Sequence, residues 1–249
     1  MVDLALVHRF YGSFGTGREE EESKNLLQKL FIGLRIVKPT RLPFSVIQYR
    51  LTPTGVDVFS FTHPQDPLMM NLPESEVLNH LDVRDLELLR TVAPTFLHLI
   101  DKGPSNLRRA IRYYETGYSN IHEPELQFVV WMMGIEALFS NGDEPSRPEQ
   151  IKQRIIDTIG QETDIYKDFK NRDLYAPDPL RVSEVLDSMF EMRNRLVHGS
   201  WVPADWFHKT IRQSISSQSL TLADILREAA SFILRNGLLR TVLAEQDRA

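Results

Sequence analysis

The chain has 249 residues, of which 42% are hydrophobic and 25% charged, a composition typical of a globular protein that buries its own core. It contains no cysteine, which excludes disulfides, thiolate zinc sites and cysteine nucleophiles. The net charge of −5 argues against a protein that coats nucleic acid by bulk electrostatics, because such proteins are basic. An enzyme with one local cationic patch is compatible with this charge.

Targeting and membrane signals are missing from the sequence. The first residues, MVDLALVHRFYG, lack the basic segment and the long apolar segment of a signal peptide, so we expect a cytoplasmic protein. The longest nearly apolar stretch, Leu126–Phe139, is too short to span a bilayer. We therefore expect no contact with membranes.

Residues 1–74 combine helix and strand signals. Leucines recur at helical spacing between residues 26 and 34. Two strand-like runs follow, Ser45–Leu51 and Val56–Phe61, and the proline and glycine between them predict a β-hairpin. This part of the chain is predicted to be a small α+β region that precedes a helical domain over residues 75–249.

From Glu74 onward the strand signal disappears and helical patterns follow one another. Gly117 is expected to end one of these helices. The next helix, Leu126–Phe139, is apolar all round, which places it in the middle of a bundle. Three more amphipathic helices are predicted, around Ile151–Ile159, from Ser183 to His198, and over Leu222–Leu243.

The helix that begins at Ser183 ends in the run RNRLVHG, Arg193 to Gly199. Asn194 and His198 are four residues apart and share one helical face. Gly199 permits the left-handed residue that ends a helix, so His198 is predicted in the last turn. The spacing alone is weak evidence, because chance gives roughly 0.6 Arg-x4-His pairs in a chain of this composition. On spacing alone, a solvated arginine and a capping histidine are the better interpretation.

The surroundings of this run resemble a known family. RNRLVHG resembles the R-x4–6-H signature of HEPN domains, with Asn194 as the polar residue after the arginine. Upstream, Leu126–Asp143 resembles the apolar helix with a Glu-Ala-Leu-Phe segment in the Apea-like HEPN group, and Lys29–Pro39 resembles an N-terminal element of that group. The resemblance implies a mainly α-helical fold, a bundle of four or five helices. It also implies a metal-independent endoribonuclease without a cofactor, whose catalytic residues would be Arg193, Asn194 and His198.

The implied chemistry agrees with these residue types. RNA carries its own nucleophile, the 2′-hydroxyl, so the enzyme must deprotonate it, neutralise the phosphorane and protonate the leaving 5′-oxygen. Histidine suits the proton transfers, and the planar donors of arginine suit the phosphate. One chain supplies one motif histidine, whereas the reaction needs an acid and a base. We therefore expect a homodimer whose interface includes the helix from Ser183 to His198.

The sequence gives weaker evidence for further orienting and RNA-binding residues. Glu136 lies in an apolar helix and needs a partner; Arg193 is a candidate, which would make Glu136 an orienting residue. A glutamate at the bundle edge that reaches water is an equal alternative. The candidate RNA contacts are Arg195 and the group Arg108, Arg109 and Arg112. For the latter group, the solvated face of a helix is the favoured interpretation.

No metal site is predicted, because the spacing of His198, Asp205 and His208 matches no known ligand pattern. The alternative to a ribonuclease is a non-catalytic HEPN module that binds RNA or nucleotide, or that serves as a dimerising scaffold for a partner protein. The sequence pI of about 5.8 slightly favours the alternative, and the intact motif favours the enzyme. The family resemblance further implies a role in phage defence or in a toxin system, with a regulatory or antitoxin partner.

Overall fold

The computed structural model describes residues 17–38, 45–52, 55–62, 83–119, 123–140, 146–167, 179–213 and 219–248. These ranges are mainly helical, so the expected mainly-α class is confirmed. Their helices are α1 (Gly17–Val37), α2 (Val83–Lys102), α3 (Ser105–Ser119), α4 (Pro124–Phe139), α5 (Pro148–Ile159), α6 (Val182–Val197), α7 (Asp205–His208) and α8 (Leu222–Gln246). The predicted boundary at residue 74 lies outside the described residues.

Two pairs of short strands accompany the helices. β1 (Ser45–Thr52) pairs antiparallel with β2 (Gly55–Thr62) along its whole length. β3 (Thr210–Gln213) pairs antiparallel with β4 (Ser219–Thr221), which leads directly into α8. The prediction that no strand follows Glu74 is therefore wrong. Strands of four and three residues are too short to show the alternation by which a strand is recognised in sequence.

The core forms around α8, which packs against α4 and also contacts α1, α2, α3, α5 and α6. Its buried side carries two alanines and several large aliphatic residues, so neighbouring helices approach closely. The three predicted isoleucines of α5, Ile151, Ile155 and Ile159, are all buried, as their spacing requires. α1 joins the same core, because Ile32, Leu34, Ile36 and Val37 are buried within it.

Gly117 does not end a helix; α3 continues to Ser119. A Cβ atom at position 117 would lie 2.2 Å from Nε1 of Trp131 on α4. The glycine is there because α3 and α4 approach each other closely at this point. Gln127 on α4 stabilises the contact by donating a hydrogen bond of 2.5 Å to the Gly117 carbonyl.

α4 is not surrounded on every side, contrary to the prediction from its composition. One side is buried against α3 and α8, with Phe128, Trp131 and Ile135 almost fully enclosed. The opposite side is open: 49% of Leu126 and 38% of Met133 are exposed. One apolar face of α4 is therefore in contact with solvent.

Candidate functional site

The motif lies at the C-terminal end of α6. This helix begins at Val182, one residue before the predicted cap Ser183, and the Arg181 N–H donates to the Glu184 carboxylate at 3.0 Å. The predicted apolar side is buried, since Val185, Leu186, Met189 and Met192 are all enclosed by the core. The end of α6 is held by this buried stripe, so the polar residues that follow it have a defined position.

His198 is the C-cap residue of α6 and is exposed. Gly199 adopts the left-handed conformation, with φ of 63°. The Ser200 N–H donates to the Arg195 carbonyl at 2.8 Å, and the Gly199 N–H donates to the Leu196 carbonyl at 3.4 Å. This pair of hydrogen bonds defines a Schellman motif, the common way to end a helix at glycine. The predicted helix end is correct, and the imidazole of His198 is accessible to solvent.

Arg193 is bound to a second helix through its guanidinium group. Its Nη2 lies 2.8 Å from Oε2 of Glu136 on α4, and its Nη1 donates to Oδ1 of Asn194 at 3.1 Å. The side chains of Arg193 and Glu136 are 23% and 26% exposed, so the ion pair is partly shielded from water. Of the two alternatives that the sequence leaves open for Glu136, the structure has the contact with Arg193.

The Nε atom of Arg193 is buried and has no hydrogen-bond partner among the described residues. Arginine has five N–H donors, and the contacts to Glu136 and Asn194 use two of them. The guanidinium group is therefore held in place. Among the described residues its remaining donors on the two Nη atoms have no hydrogen-bond partner, whereas the buried Nε is not accessible to a ligand. A held cation with free donors is suited to binding an anionic group.

Arg195 has a different environment. Its Nε and Nη2 donate to Oε1 of Glu191 at 3.0 and 2.7 Å, and its Nη1 donates to the Trp201 carbonyl at 2.9 Å. These contacts connect α6 to the chain segment that follows His198. Both arginines of the motif thus have a carboxylate partner, which neutralises most of the positive charge that the sequence places here.

The three other candidate RNA contacts lie on α3. Arg108, Arg109 and Arg112 are exposed, whereas Leu107, Ala110, Ile111 and Tyr114 form the buried side of that helix. This is the solvated helix face that the sequence analysis favours. α3 packs on α4, and α4 packs on α6, so α4 lies between these arginines and the motif.

A cleft of about 200 Å³ lies beside α6, and sequence reasoning missed it. Met192, next to Arg193, lines it, together with Arg227 and Asp224 of α8, whose side chains are 3.1 Å apart. Its remaining lining residues are Pro124, Glu125, Phe207, Thr221 and Ala223. The cleft is built from four separate segments of the chain, so no local pattern in the sequence signals it.

Among the described residues no cluster of three or more His, Asp or Glu side chains is arranged to hold a metal ion. Nor does any helix in the described ranges have the length and apolar character needed to cross a membrane. Comparisons with protein families, with curated proteins and with solved structures find no match to this chain.

Proposed function

We propose that the chain is a metal-independent endoribonuclease of the HEPN type, with Arg193, Asn194 and His198 as its catalytic residues. The observation that carries the proposal is the arrangement at the end of α6. A guanidinium group held by Glu136 and Asn194 lies on the same helical end as an exposed histidine. Such a pair of groups can neutralise a phosphorane and transfer a proton.

In the proposed reaction the 2′-hydroxyl of RNA loses its proton to a base and attacks the adjacent phosphorus. The bond to the 5′-oxygen breaks, and that oxygen receives a proton from an acid. The products are a 2′,3′-cyclic phosphate and a 5′-hydroxyl, and no metal or cofactor takes part. His198 supplies a proton-transfer group, and Arg193 stabilises the charge on the phosphorane.

Two further roles belong to this proposal. Glu136 is a positioning residue, because it contacts Arg193 from another helix and keeps the guanidinium group at the surface. A homodimer supplies the second proton-transfer group, since each chain contributes one motif histidine. The proposed setting, from the family resemblance, is a cytoplasmic phage-defence or toxin system with a regulatory partner.

One observation favours the alternative of a non-catalytic module that binds RNA or nucleotide, or that serves as a scaffold. Arg193 is paired with Glu136 and Arg195 with Glu191, so the motif surface has little net positive charge. A site of this kind would bind RNA through few phosphates and with a shallow salt dependence. The two functions differ in one measurable respect, which is whether a phosphodiester bond is cut.

The deciding experiment incubates the purified chain with total RNA from its native host and sequences the 5′-hydroxyl ends. We expect discrete cleavage sites that persist in excess EDTA and disappear in both His198→Ala and Arg193→Ala, because each removes a group needed in the transition state. His208→Ala is the matched control, since His208 is also exposed and lies outside the motif. It should cleave like the wild type.

Cleavage that His198→Ala retains, or that EDTA abolishes, would contradict the proposed mechanism. If the wild type binds RNA and leaves it intact in the presence of its native partner proteins, the non-catalytic alternative is correct. Circular dichroism of each variant separates lost chemistry from lost structure. His198 and Arg193 lie at a helix end, so we expect both variants to fold.

A further inference from the structure

The open face of α4 is a continuous apolar stripe. Leu126, Val130, Met133 and Ala137 follow one another at spacings of four, three and four residues, which places them on one side of the helix. Leu126 and Met133 are exposed, and Val130 and Ala137 are half-buried, with Ala137 also packed against the core. This spacing is that of the seam along which two helices pack in a coiled coil. These four residues are named here the α4 seam.

Two helices border the α4 seam. α3 runs antiparallel to α4 on one flank: Tyr113 lies opposite Gly134, and Gly117 lies opposite Trp131 nearer the start of α4. On the other flank, α6 reaches α4 through the Arg193–Glu136 ion pair. The α4 seam spans about 16 Å at 1.5 Å per residue, which is the length of about three turns of a partner helix.

The two ends of the α4 seam carry opposite charges on the α3 flank. Glu123, the N-cap residue of α4, is exposed, and its side chain makes no capping hydrogen bond. Arg109 is one helical turn before Tyr113 on the same side of α3, which places it beside the last turn of α4. Neither side chain has an ion pair within the described part of the chain. One end is thus acidic and the other basic.

We propose that the α4 seam packs against the α4 seam of a second copy of this chain, antiparallel and about a two-fold axis. Leu126 then lies opposite Ala137 of the second copy, and Val130 opposite Met133. In this register Glu123 faces Arg109 of the second copy, and the symmetry forms the charge pair twice. A parallel two-fold arrangement would bring the α3 flank of each copy against the α6 flank of the other, so Glu123 and Arg109 would not meet, and the charge pairs favour the antiparallel one.

The symmetry also determines where the motif lies. The two-fold axis passes between the two α4 helices and is perpendicular to both, so each flank of one copy meets the same flank of the other. Both α6 helices therefore lie on one side of the dimer. The proposed ribonuclease also needs a dimer, but it does not need this interface. A dimer that Met133→Glu leaves intact would overturn the α4 seam alone, and a dimer that cuts no RNA would overturn the proposed function alone.

The test measures the oligomeric state of the full chain by analytical ultracentrifugation. We expect a dimer in the wild type, and in Met133→Glu a dissociation constant raised tenfold or more, because the variant places a carboxylate on the apolar stripe. Val83→Glu is the matched control, since Val83 is 70% exposed on α2, away from the stripe. It should leave the dimer unchanged, and circular dichroism should show that both variants fold.

A charge exchange tests the register. Arg109→Glu and Glu123→Lys should each weaken the dimer about threefold or more, and the double variant should restore it, because the opposite charges again meet. A wild type that is monomeric at about 100 µM would overturn the proposal. So would a dimer that Met133→Glu leaves intact or that Val83→Glu weakens equally. A double variant no stronger than the single ones would overturn the antiparallel register.

Discussion

Replacing Glu136 by glutamine removes the charge that holds Arg193 and changes the volume very little. An exposed ion pair contributes about 0–1 kcal/mol, whereas breaking a fully buried one costs about 3–5 kcal/mol. The side chains of this pair are 23% and 26% exposed, so the cost lies between these limits. We expect Glu136→Gln to lower the free energy of unfolding by about 1–2 kcal/mol. The corresponding decrease in Tm is about 2–8 °C for a chain of this length.

The assay is urea denaturation in a double-mutant cycle that combines Glu136→Gln with Arg193→Gln. Since the two residues are in direct contact, we expect a coupling energy of about 1 kcal/mol. Glu191→Gln is the control, because its partner Arg195 is more exposed, at 35% against 23%, and it should cost less than about 0.5 kcal/mol. A coupling energy near zero, or an equal loss in Glu191→Gln, would show that Glu136 does not hold Arg193 in place.

The same variant has a functional readout that a purely structural role would not change. If Glu136 positions the guanidinium group for the transition state, Glu136→Gln should lower kcat for RNA cleavage more than it raises KM. The conservative variant Glu136→Asp keeps the charge and should recover part of the rate. A loss of stability with unchanged kcat would limit Glu136 to holding α4 and α6 together.

Two further predictions concern packing and pH. Gly117→Ala should lower the free energy of unfolding by about 2 kcal/mol or more, because the new Cβ atom would overlap the indole of Trp131. Gly199→Ala meets open space and should lower it by about 1 kcal/mol, for its left-handed backbone alone. Thermal unfolding compares the two variants, and equal losses would contradict the close approach of α3 and α4. Burial raises the pKa of Tyr114 well above its usual 10.0, so the stabilisation from its neutral hydroxyl is complete below about pH 10 and is lost as the pH rises further. Tyr114→Phe should lower the free energy of unfolding by about 1 kcal/mol at pH 7, because it removes the hydrogen bond to the Arg35 carbonyl. Since phenylalanine does not ionise, the stability of this variant should also decline less above pH 10 than that of the wild type. Parallel declines of the two proteins above pH 10 would show that Tyr114 does not ionise on unfolding.

The paired arginines change the expected character of the site. The sequence places Arg193, Arg195 and His198 in one short run, which predicts a cationic group. In the structure, each arginine has a carboxylate partner, and Arg195 also donates to a backbone carbonyl. RNA that binds here would therefore be selected by its shape or brought by a partner, because bulk charge attraction at the motif is weak.

The local features of the molecule can be predicted from the sequence alone. The spacing of Ile151, Ile155 and Ile159 follows the period of a helix, and all three are buried, as a periodic apolar face requires. The end of α6 was also predictable, because Gly199 can adopt a positive φ at little cost and directly follows the last periodic residues. Features that depend on neighbours three or four residues away can be read from one segment alone.

The contacts between distant segments, in contrast, are visible only in the folded chain. The Glu136–Arg193 pair joins residues 57 positions apart, and the sequence left the alternative of a solvated glutamate equally open. A glycine such as Gly117 is typical of a helix end in a sequence. In the structure, the indole of Trp131 on another helix leaves no room for a Cβ atom at this position. The open face of α4 has the same cause: its apolar residues are much alike on every side, so the sequence does not distinguish the face that neighbouring helices cover from the face that they leave exposed.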